Sequence, residues 1–227
     1  MIEASEYIED IVSQMDITIN GTYDISTGRT LFCDTKWARV GKTIKDSFGN
    51  NYKITEVETD VYIVAVPFVD PLLTLDGLCY LETPFFMTGT KLATNREWSI
   101  ADNNLENKLP LIWLLEIISE TGYGRGSAFD RDIEAKIFYL DETDPSQYYT
   151  KQHRDQVVKP MQKLMTEFLK TTEGIREYQT VENYRYKTFS RFGVEQENGV
   201  FQNILDANLS GIALEITLTR YKVNCKC

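Results

Sequence analysis

Apolar residues near the start of the chain recur at helical spacing. Ile8, Ile11, Val12 and Met15 follow one another at intervals of three, one and three residues. This spacing places their side chains on one face of a helix, because an α-helix completes a turn in about 3.6 residues. The pattern therefore predicts an amphipathic helix over residues 2–16.

The pattern changes from helical to strand-like after Asn20 and Gly21, which are typical turn residues. Between about residues 22 and 81, short apolar runs alternate with turn signals. Two of these runs flank Phe-Gly-Asn-Asn at residues 48–51, which predicts a β-hairpin with its turn there. Several short strands in such a short segment indicate a small barrel-like β unit, which we assign to residues 21–83.

The second half of the chain begins with a polar, turn-rich stretch over residues 84–108, which predicts a connecting loop. The apolar run LPLIWLLEII then predicts a buried strand. The following run, DRDIEAKIFYL, places Ile133, Ala135, Ile137 and Tyr139 at alternate positions, as in a strand with one buried face. We expect these two strands to form an antiparallel pair joined by a long arm.

Three further elements are predicted towards the end of the chain. An apolar stripe at helical spacing predicts a second helix over residues 151–172, with a kink or a late start at Pro160. Apolar alternation predicts strands over residues 184–194 and 211–223.

Together these elements predict an α+β fold. We expect an antiparallel four-stranded sheet with helices on one face, formed by residues 1–20 and 84–227. The small β-barrel-like unit is then an all-β insert of residues 21–83 in this domain.

The composition is that of a globular protein with an acidic surface. Of the 227 residues, 42% are hydrophobic and 26% are charged, with 34 acidic and 24 basic side chains and a net charge of −10. No apolar run approaches the roughly 20 residues that span a bilayer, and the acidic, amphipathic N-terminus is unlike a signal peptide. We therefore expect neither a membrane protein nor a secreted one.

The acidic charge is concentrated in residues 1–83, which hold 14 acidic and 6 basic side chains. No cluster of basic residues is evident along the sequence, which argues against broad binding of nucleic acid. In YRYKTFSRF, Arg185, Lys187 and Arg191 alternate with aromatic residues, a pattern that nucleic-acid-binding strands also show. We prefer the simpler interpretation, in which the alternation marks a half-exposed strand.

Candidate motifs for catalysis and metal binding are incomplete. GKT at residues 41–43 lacks the earlier glycine of a phosphate-binding loop, and HRD at residues 153–155 lacks the partners of a kinase catalytic loop. Cys225 and Cys227 form a C-x-C without a second close pair, whereas a structural zinc site needs four ligands. We therefore predict no enzyme activity, no cofactor and no metal site. A carboxylate-dependent hydrolase is the alternative, because a pair of the 34 acidic side chains could carry out acid–base catalysis.

Four segments of the second half carry a family resemblance. They are LPLIWLLEI, RDIEAKIFYLDE, HRDQVVKPMQKLMTEFL and the closing stretch Leu205–Leu218. In this order they resemble tail-completion or tail-terminator proteins of tailed bacteriophages. With the N-terminal helix, the β insert and TGTKLATN at residues 88–95, the chain is more closely similar to a neck or tail group from phages of Bacteroidetes hosts.

The resemblance implies a structural virion protein of the head–tail junction or tail, in a connector, neck or tail-terminator role. In such families an α+β domain assembles as a ring around the DNA channel, next to portal, adaptor or tail proteins. Packaged DNA passes through this channel without sequence-specific binding, and no membrane is involved. The protein is then assembled in the host cytoplasm and located in the virion. An alternative function is a tail-associated module that recognises a peptide or glycan through the β insert.

A closed ring of identical subunits needs two different contact surfaces on each copy. The connecting loop 84–108 and the arm around residues 119–131 are candidates, because loops often become ordered on contact with a neighbour. Their aromatic and arginine residues belong to types that anchor interfaces. The candidate oligomer-interface residues are Trp98, Tyr123, Arg125 and Phe129. The alternative is that these side chains pack on their own domain.

Overall fold

The computed structural model describes residues 4–90, 98, 104–123, 130–175, 178–180, 184–195, 201–205 and 207–220. The predicted N-terminal helix is present as α1, Ala4–Ser13. Its buried face carries Ile8, Ile11 and Val12, and Met15 is buried just after the helix ends. The residues whose spacing predicted the helix are therefore the ones that attach it to the core.

Six short strands form a closed antiparallel barrel. In chain order they are β1 (Thr18–Asp24), β2 (Arg29–Phe32), β3 (Thr43–Asp46), β4 (Asn51–Glu58), β5 (Tyr62–Pro67) and β6 (Gly77–Leu81). Around the barrel the order is β1, β2, β5, β4, β3 and β6, and β6 pairs with β1 to close it. Alternate side chains point inward. Those that are fully buried in the interior include Ile44, Tyr52, Ile54, Ile63 and Cys79.

The hairpin predicted around residues 48–51 is formed by β3 and β4, and a buried carboxylate organises its turn. Asp46 accepts hydrogen bonds from the backbone N–H groups of Phe48 (2.9 Å) and Asn50 (2.8 Å). It also accepts from Asn50 Nδ2 (2.8 Å) and from the Tyr52 hydroxyl (3.0 Å). Burial alone would raise the pKa of Asp46, but these hydrogen bonds outweigh it and hold the pKa below its ordinary value of 3.8.

We expect Asp46→Asn to lower the free energy of unfolding by about 2 kcal/mol at pH 7, because the amide lacks the charge that these donors stabilise. Since folding lowers the pKa of Asp46, its contribution is present above pH 3.8 and is lost as the pH falls below that value. Urea unfolding of both proteins at pH 7 and at about pH 3 measures this difference.

The control is Asp70→Asn, in an exposed turn of the same barrel, which should change the free energy of unfolding by less than about 0.5 kcal/mol. A loss of the same size at both pH values for Asp46→Asn would contradict the role of its charge.

The second half of the chain forms a six-stranded mixed sheet. In chain order its strands are β7 (Phe85–Thr88), β8 (Leu111–Tyr123), β9 (Asp130–Glu142), β10 (Tyr178–Thr180), β11 (Arg185–Phe189) and β14 (Leu209–Arg220). β8 and β9 pair antiparallel, as predicted, and β7 pairs parallel with β8. β14 pairs antiparallel with β9, and β10 and β11 share its other edge. Two short strands, β12 (Gly193–Glu195) and β13 (Phe201–Asn203), form a separate sheet.

One long helix, α2, covers 24 residues. It consists of an α-helical turn, a π-helical turn and a regular α-helix: Lys151–His153, Arg154–Val158 and Lys159–Gly174. The π-helical turn directly precedes Pro160, whose nitrogen has no hydrogen to donate. This wider turn, with the Lys159 N–H bonded to the Arg154 carbonyl, lets the helix continue through the proline. No helix in the described ranges is long and apolar enough to cross a bilayer.

Both faces of the mixed sheet are buried. On one face, α1 and α2 cover a cluster that continues into the barrel interior, so that barrel and sheet share one hydrophobic core. The other face has a second core around Trp113, whose ring centroid lies 5.9 Å from that of Phe138 and 5.5 Å from that of Phe192. In a strand that is buried on both faces, apolar and polar residues do not alternate. This explains the continuous apolar run in β8.

The predicted fold class is wrong. The protein is mostly β, with a closed six-stranded barrel, a mixed sheet and one helix of 24 residues, and it does not form an antiparallel four-stranded sheet with helices. β7 lies in the stretch interpreted as a loop and pairs parallel with β8, while β10 and β11 add to β14. β11 lies within the strand predicted over residues 184–194, whereas β7 and β10, with four and three residues, are too short for a periodic pattern to reveal them.

Candidate functional site

The two ends of the barrel have different surroundings. The strand directions place the β1–β2 turn, the β3–β4 turn and the β5–β6 loop at one end, which we call the distal end. The opposite, proximal end contacts α2. There Lys163 of α2 donates hydrogen bonds to Asp34 Oδ1 (2.7 Å) and to Asp60. Thr59 Oγ1 donates to the carbonyl oxygen of Asp155 (2.8 Å), so the barrel is attached through its proximal end.

The distal end carries five large hydrophobic side chains that are mostly exposed. We call them the distal apolar surface: Ile25, Phe48, Phe68, Val69 and Leu72. Their exposed fractions range from 59% for Phe68 to 92% for Val69. The Phe68 N–H donates to the Asn51 carbonyl (3.1 Å), which places the β5–β6 loop beside the β3–β4 turn. Exposed apolar groups gathered at one end of a domain are typical of a contact surface for a partner.

A buried ion pair joins the barrel to the sheet. Arg39 Nη1 lies 3.1 Å from Asp141 Oδ1, without the alignment of a hydrogen bond, and Arg39 Nη2 lies 3.4 Å from Glu142 Oε2. Burial raises the pKa of Asp141 above 3.8, and the charge of Arg39 offsets part of this rise. The charged form of Asp141 therefore depends on Arg39 for its stabilisation.

The part of the β8–β9 hairpin nearest its connection lies outside both hydrophobic cores. We call residues 119–123 and 130–132 the hairpin arm. Residues 119–122 are exposed, and Arg131 Nη1 donates to Glu120 Oε1 (2.5 Å) across the two strands. The exposed residues 119–122 of β8 are available for contact with a neighbouring molecule.

The four candidate interface residues lie in different places. Trp98 is only 3% exposed and belongs to the second core, where Lys108 Nζ lies 4.8 Å from its ring centroid. For Trp98 the structure thus corresponds to the alternative in which the side chain packs on its own domain. Tyr123 ends β8 with its side chain outside what the structure describes, and Arg125 and Phe129 lie outside the described residues. As interface residues these three stay a prediction.

The single histidine lies beside a serine in the interior. His153 Nε2 and Ser210 Oγ are 2.8 Å apart, and burial lowers the pKa of His153. A serine nucleophile also needs a carboxylate that orients the histidine and an approach for the substrate. Ser210 is fully buried, and its cross-strand partner Asp141 pairs with Arg39. We interpret the His153–Ser210 contact as a hydrogen bond of the core.

Within the described residues, no three His, Cys, Asp or Glu side chains converge as metal ligands would. Cys33 is exposed and Cys79 is buried, both as free thiols, and burial raises the pKa of Cys79 to about 12. Cys225 and Cys227 lie outside the described residues.

A wide groove of about 1030 Å³ runs between the first half of α2 and the segment that contains β11. Its basic side chains come from both walls: Lys151, Arg154, Lys159, Lys187 and Arg191. No acidic side chain in the part of the chain that the structure describes lines this groove, which we call the basic groove. The basic groove is thus a positively charged region on a chain whose net charge is −10.

The basic groove is only partly neutralised by its surroundings. Asp155 lies beside it and pairs with Lys159 Nζ (2.8 Å) and with Arg154 Nε (3.7 Å). The close ammonium of Lys159, with the charges of Arg154 and Lys151, holds the pKa of Asp155 below its usual value. Among the described carboxylates, none forms an ion pair with Lys151 or Lys187. The basic groove therefore keeps a net positive charge.

The basic groove was not predicted, because its two walls come from segments that are far apart in the sequence. One wall comes from residues 151–159 and the other from residues 187–191. Lys187 and Arg191 of one wall belong to the alternating pattern YRYKTFSRF, which was interpreted as a half-exposed strand. The available signal was the three-residue spacing of Lys151 and Arg154, which places both on one face of a predicted helix.

Comparisons with known proteins were made at the levels of family, sequence and structure. The chain matches no protein-family model, no curated protein and no solved structure. The functional inference therefore rests on the surfaces of the molecule and on the pattern of its sequence.

Proposed function

We propose that this chain is a structural virion protein of a tailed bacteriophage, which assembles as a ring around the DNA channel at the head–tail junction or in the tail. It acts there as a connector, neck or tail-terminator protein, without catalysis or a cofactor. Its partners are further copies of itself and portal, adaptor or tail proteins of the same phage, and the packaged DNA passes without sequence-specific binding. Assembly takes place in the host cytoplasm without a membrane, and the protein is located in the virion.

The distal apolar surface is the observation that carries this proposal. Its five side chains are exposed at the end of the barrel that points away from α2, where a neighbouring subunit has free access. Covering apolar area contributes about 25 cal/mol per Å² to association. The hairpin arm supplies a second, polar surface, and a closed ring needs two such different surfaces. The order of elements in the second half supports the head–tail location through the family resemblance.

Light scattering across a concentration series, with negative-stain images of the same samples, tests the proposal. We expect the wild-type chain to form closed rings of one copy number as its concentration rises. The double variant Phe48→Asp/Leu72→Asp introduces two charges into the distal apolar surface. It should require at least about tenfold higher concentration to form rings, because an unpaired charge is costly to bury.

Leu31→Asp is the matched control, since Leu31 is 45% exposed on the wall of the barrel and away from its distal end. This variant should assemble like the wild type, and thermal unfolding should show that all three proteins are equally folded. Mass spectrometry of purified virions is the second measurement. A chain that stays monomeric at every concentration and is absent from virions contradicts the proposal.

The distal apolar surface also favours a second function, that of a tail-associated binding module. Phe48 and Phe68 expose aromatic rings there, and such rings provide flat apolar contacts for peptides and sugars. A peptide and glycan array distinguishes the two functions. A monomeric wild type whose array signal is lost in Phe48→Asp/Leu72→Asp favours the binding module, whereas rings without such affinity count against it.

A further inference from the structure

The basic groove runs along an open strand edge. β11 pairs with β14 on one side, and no strand in the described residues pairs with its other side. Residues 187–189 of β11 and the next two residues, 190 and 191, all line the groove, whereas a groove over one face of a strand would contact alternate residues. The groove therefore follows the edge of this segment, where alternate N–H and C=O groups of β11 point away from β14.

The edge of β11 is accessible along its length. Residues 185–188 are all exposed, and they include the basic side chains of Arg185 and Lys187. Five residues of extended chain span about 16 Å, because a strand rises about 3.3 Å per residue. The open edge of β11 is thus long enough to pair with about five residues of an extended peptide.

Tyr149 stands at one wall of the groove in an unusual conformation. Its φ angle is +66°, in the left-handed region, and its side chain is 88% exposed. A residue other than glycine in this region carries a conformational cost that is often found at binding sites. Its exposed ring offers an apolar contact beside the basic side chains.

We propose that the basic groove binds an extended acidic peptide segment of a partner protein, which adds as a strand to the open edge of β11. Backbone hydrogen bonds to β11 supply one part of the affinity, as in other cases of strand addition. The register of β11 with β14 places Lys187 on the sheet face away from α2. Carboxylates at one set of alternate peptide positions therefore pair with Lys151 and Arg154, and carboxylates at the intervening positions pair with Lys187. This site is distinct from ring assembly, and it stands whether or not the chain is a virion protein.

An acidic peptide fits the basic groove better than a nucleic acid does. A nucleic acid long enough to bind tightly extends past the groove over a chain of net charge −10, whose acidic surface repels its phosphates. A short peptide with about four carboxylates remains inside the positive region. A peptide backbone also offers alternating N–H donors and C=O acceptors that pair with those of the strand edge. Phosphate groups offer only acceptors and cannot form this ladder of hydrogen bonds.

Fluorescence anisotropy with a labelled synthetic peptide tests this proposal. The probe has about seven residues, with glutamate at four consecutive central positions and threonine at the others, so that carboxylates lie on both faces of the added strand. We expect it to bind the wild-type chain, with an affinity that falls as salt is added. The variant Lys151→Glu/Lys187→Glu should raise its Kd by about tenfold or more. Lys45→Glu/Lys53→Glu, which changes the net charge equally on the barrel, should leave the Kd within about twofold.

Further probes separate strand addition from simple attraction of charge. The same peptide with glutamine in place of glutamate should not bind. A peptide in which every second backbone amide is N-methylated should bind at least about tenfold more weakly. Oligothymidylate of equal charge should not compete. Absence of acidic-peptide binding overturns the site, and equal binding of the N-methylated peptide overturns strand addition. Tighter binding of oligothymidylate overturns the peptide as the ligand in favour of nucleic acid. Circular dichroism confirms that both double variants remain folded.

Discussion

Replacing Gly211 by alanine is expected to prevent the mixed sheet from forming its native arrangement. Gly211 lies in β14 opposite Leu140 of β9, with a φ angle of +155°. A Cβ atom at this position would lie 1.9 Å from the backbone oxygen of Tyr139 and 3.2 Å from Leu140 Cα. Both are backbone atoms, so relief requires two strands of the sheet to separate. We expect a loss of more than about 4 kcal/mol in the free energy of unfolding.

Gly28→Ala is the matched control for this substitution. Gly28 has a φ angle of +69° in the β1–β2 turn, but no atom lies within 4 Å of a Cβ built there. Its cost should be about 1 kcal/mol, the conformational strain alone. Soluble yield and thermal unfolding measure both variants. A Gly211→Ala protein that is soluble and unfolds within a few degrees of the wild type contradicts the expected clash.

Arg39→Met is expected to destabilise the protein strongly at neutral pH and much less in acid. Methionine keeps much of the apolar contact of the arginine stem but removes the charge that faces Asp141. Removal of one partner from a buried ion pair typically costs about 3–5 kcal/mol, because the other charge is left uncompensated. Folding raises the pKa of Asp141, so its unfavourable effect is absent below pH 3.8 and grows as the pH rises through the raised pKa.

Urea unfolding at pH 7 and at about pH 4 measures the effect of Arg39→Met. The double variant Arg39→Met/Asp141→Asn should recover much of the loss at pH 7, because its amide carries no charge. Lys170→Met, which breaks an exposed pair with Glu167 (3.5 Å), should cost less than about 1 kcal/mol. Losses of the same size at both pH values would show that the charge of Asp141 is not the cause.

Periodicity in the sequence identifies the elements that bury a single face. α1 and β9 were predictable for this reason, since their apolar residues recur with the period of the element. The β3–β4 hairpin was predicted from its turn residues, and β8 from its continuous apolar run. The fold class was not predictable in the same way. Trp113 and Phe138 point to a second core on the opposite face, and β7 and β10 are recognisable only by their pairing with distant strands. Pairing across such sequence separations leaves no local pattern.

The candidate sites differ in how far the sequence indicates them. The distal apolar surface has a local signal, because Phe48 follows a strand directly in a turn and Val69 and Leu72 flank Pro71 in a loop. The sequence places these residues in turns but does not predict their exposure, since Leu75 in the same β5–β6 loop is buried. The basic groove has no comparable signal, because Lys151 and Lys187 become neighbours only when β11 and α2 are placed by β14.

The position of β14 has a consequence for synthesis on the ribosome. β14 lies inside the mixed sheet, yet it follows every other strand of that sheet in the chain. At about 5–20 residues per second, the interval from Glu142 to Arg220 takes about 4–16 s. Throughout this interval the emerging chain carries β9 with one long, apolar edge unpaired. Until β14 arrives, this unpaired edge of β9 is open to pairing with a strand of another chain.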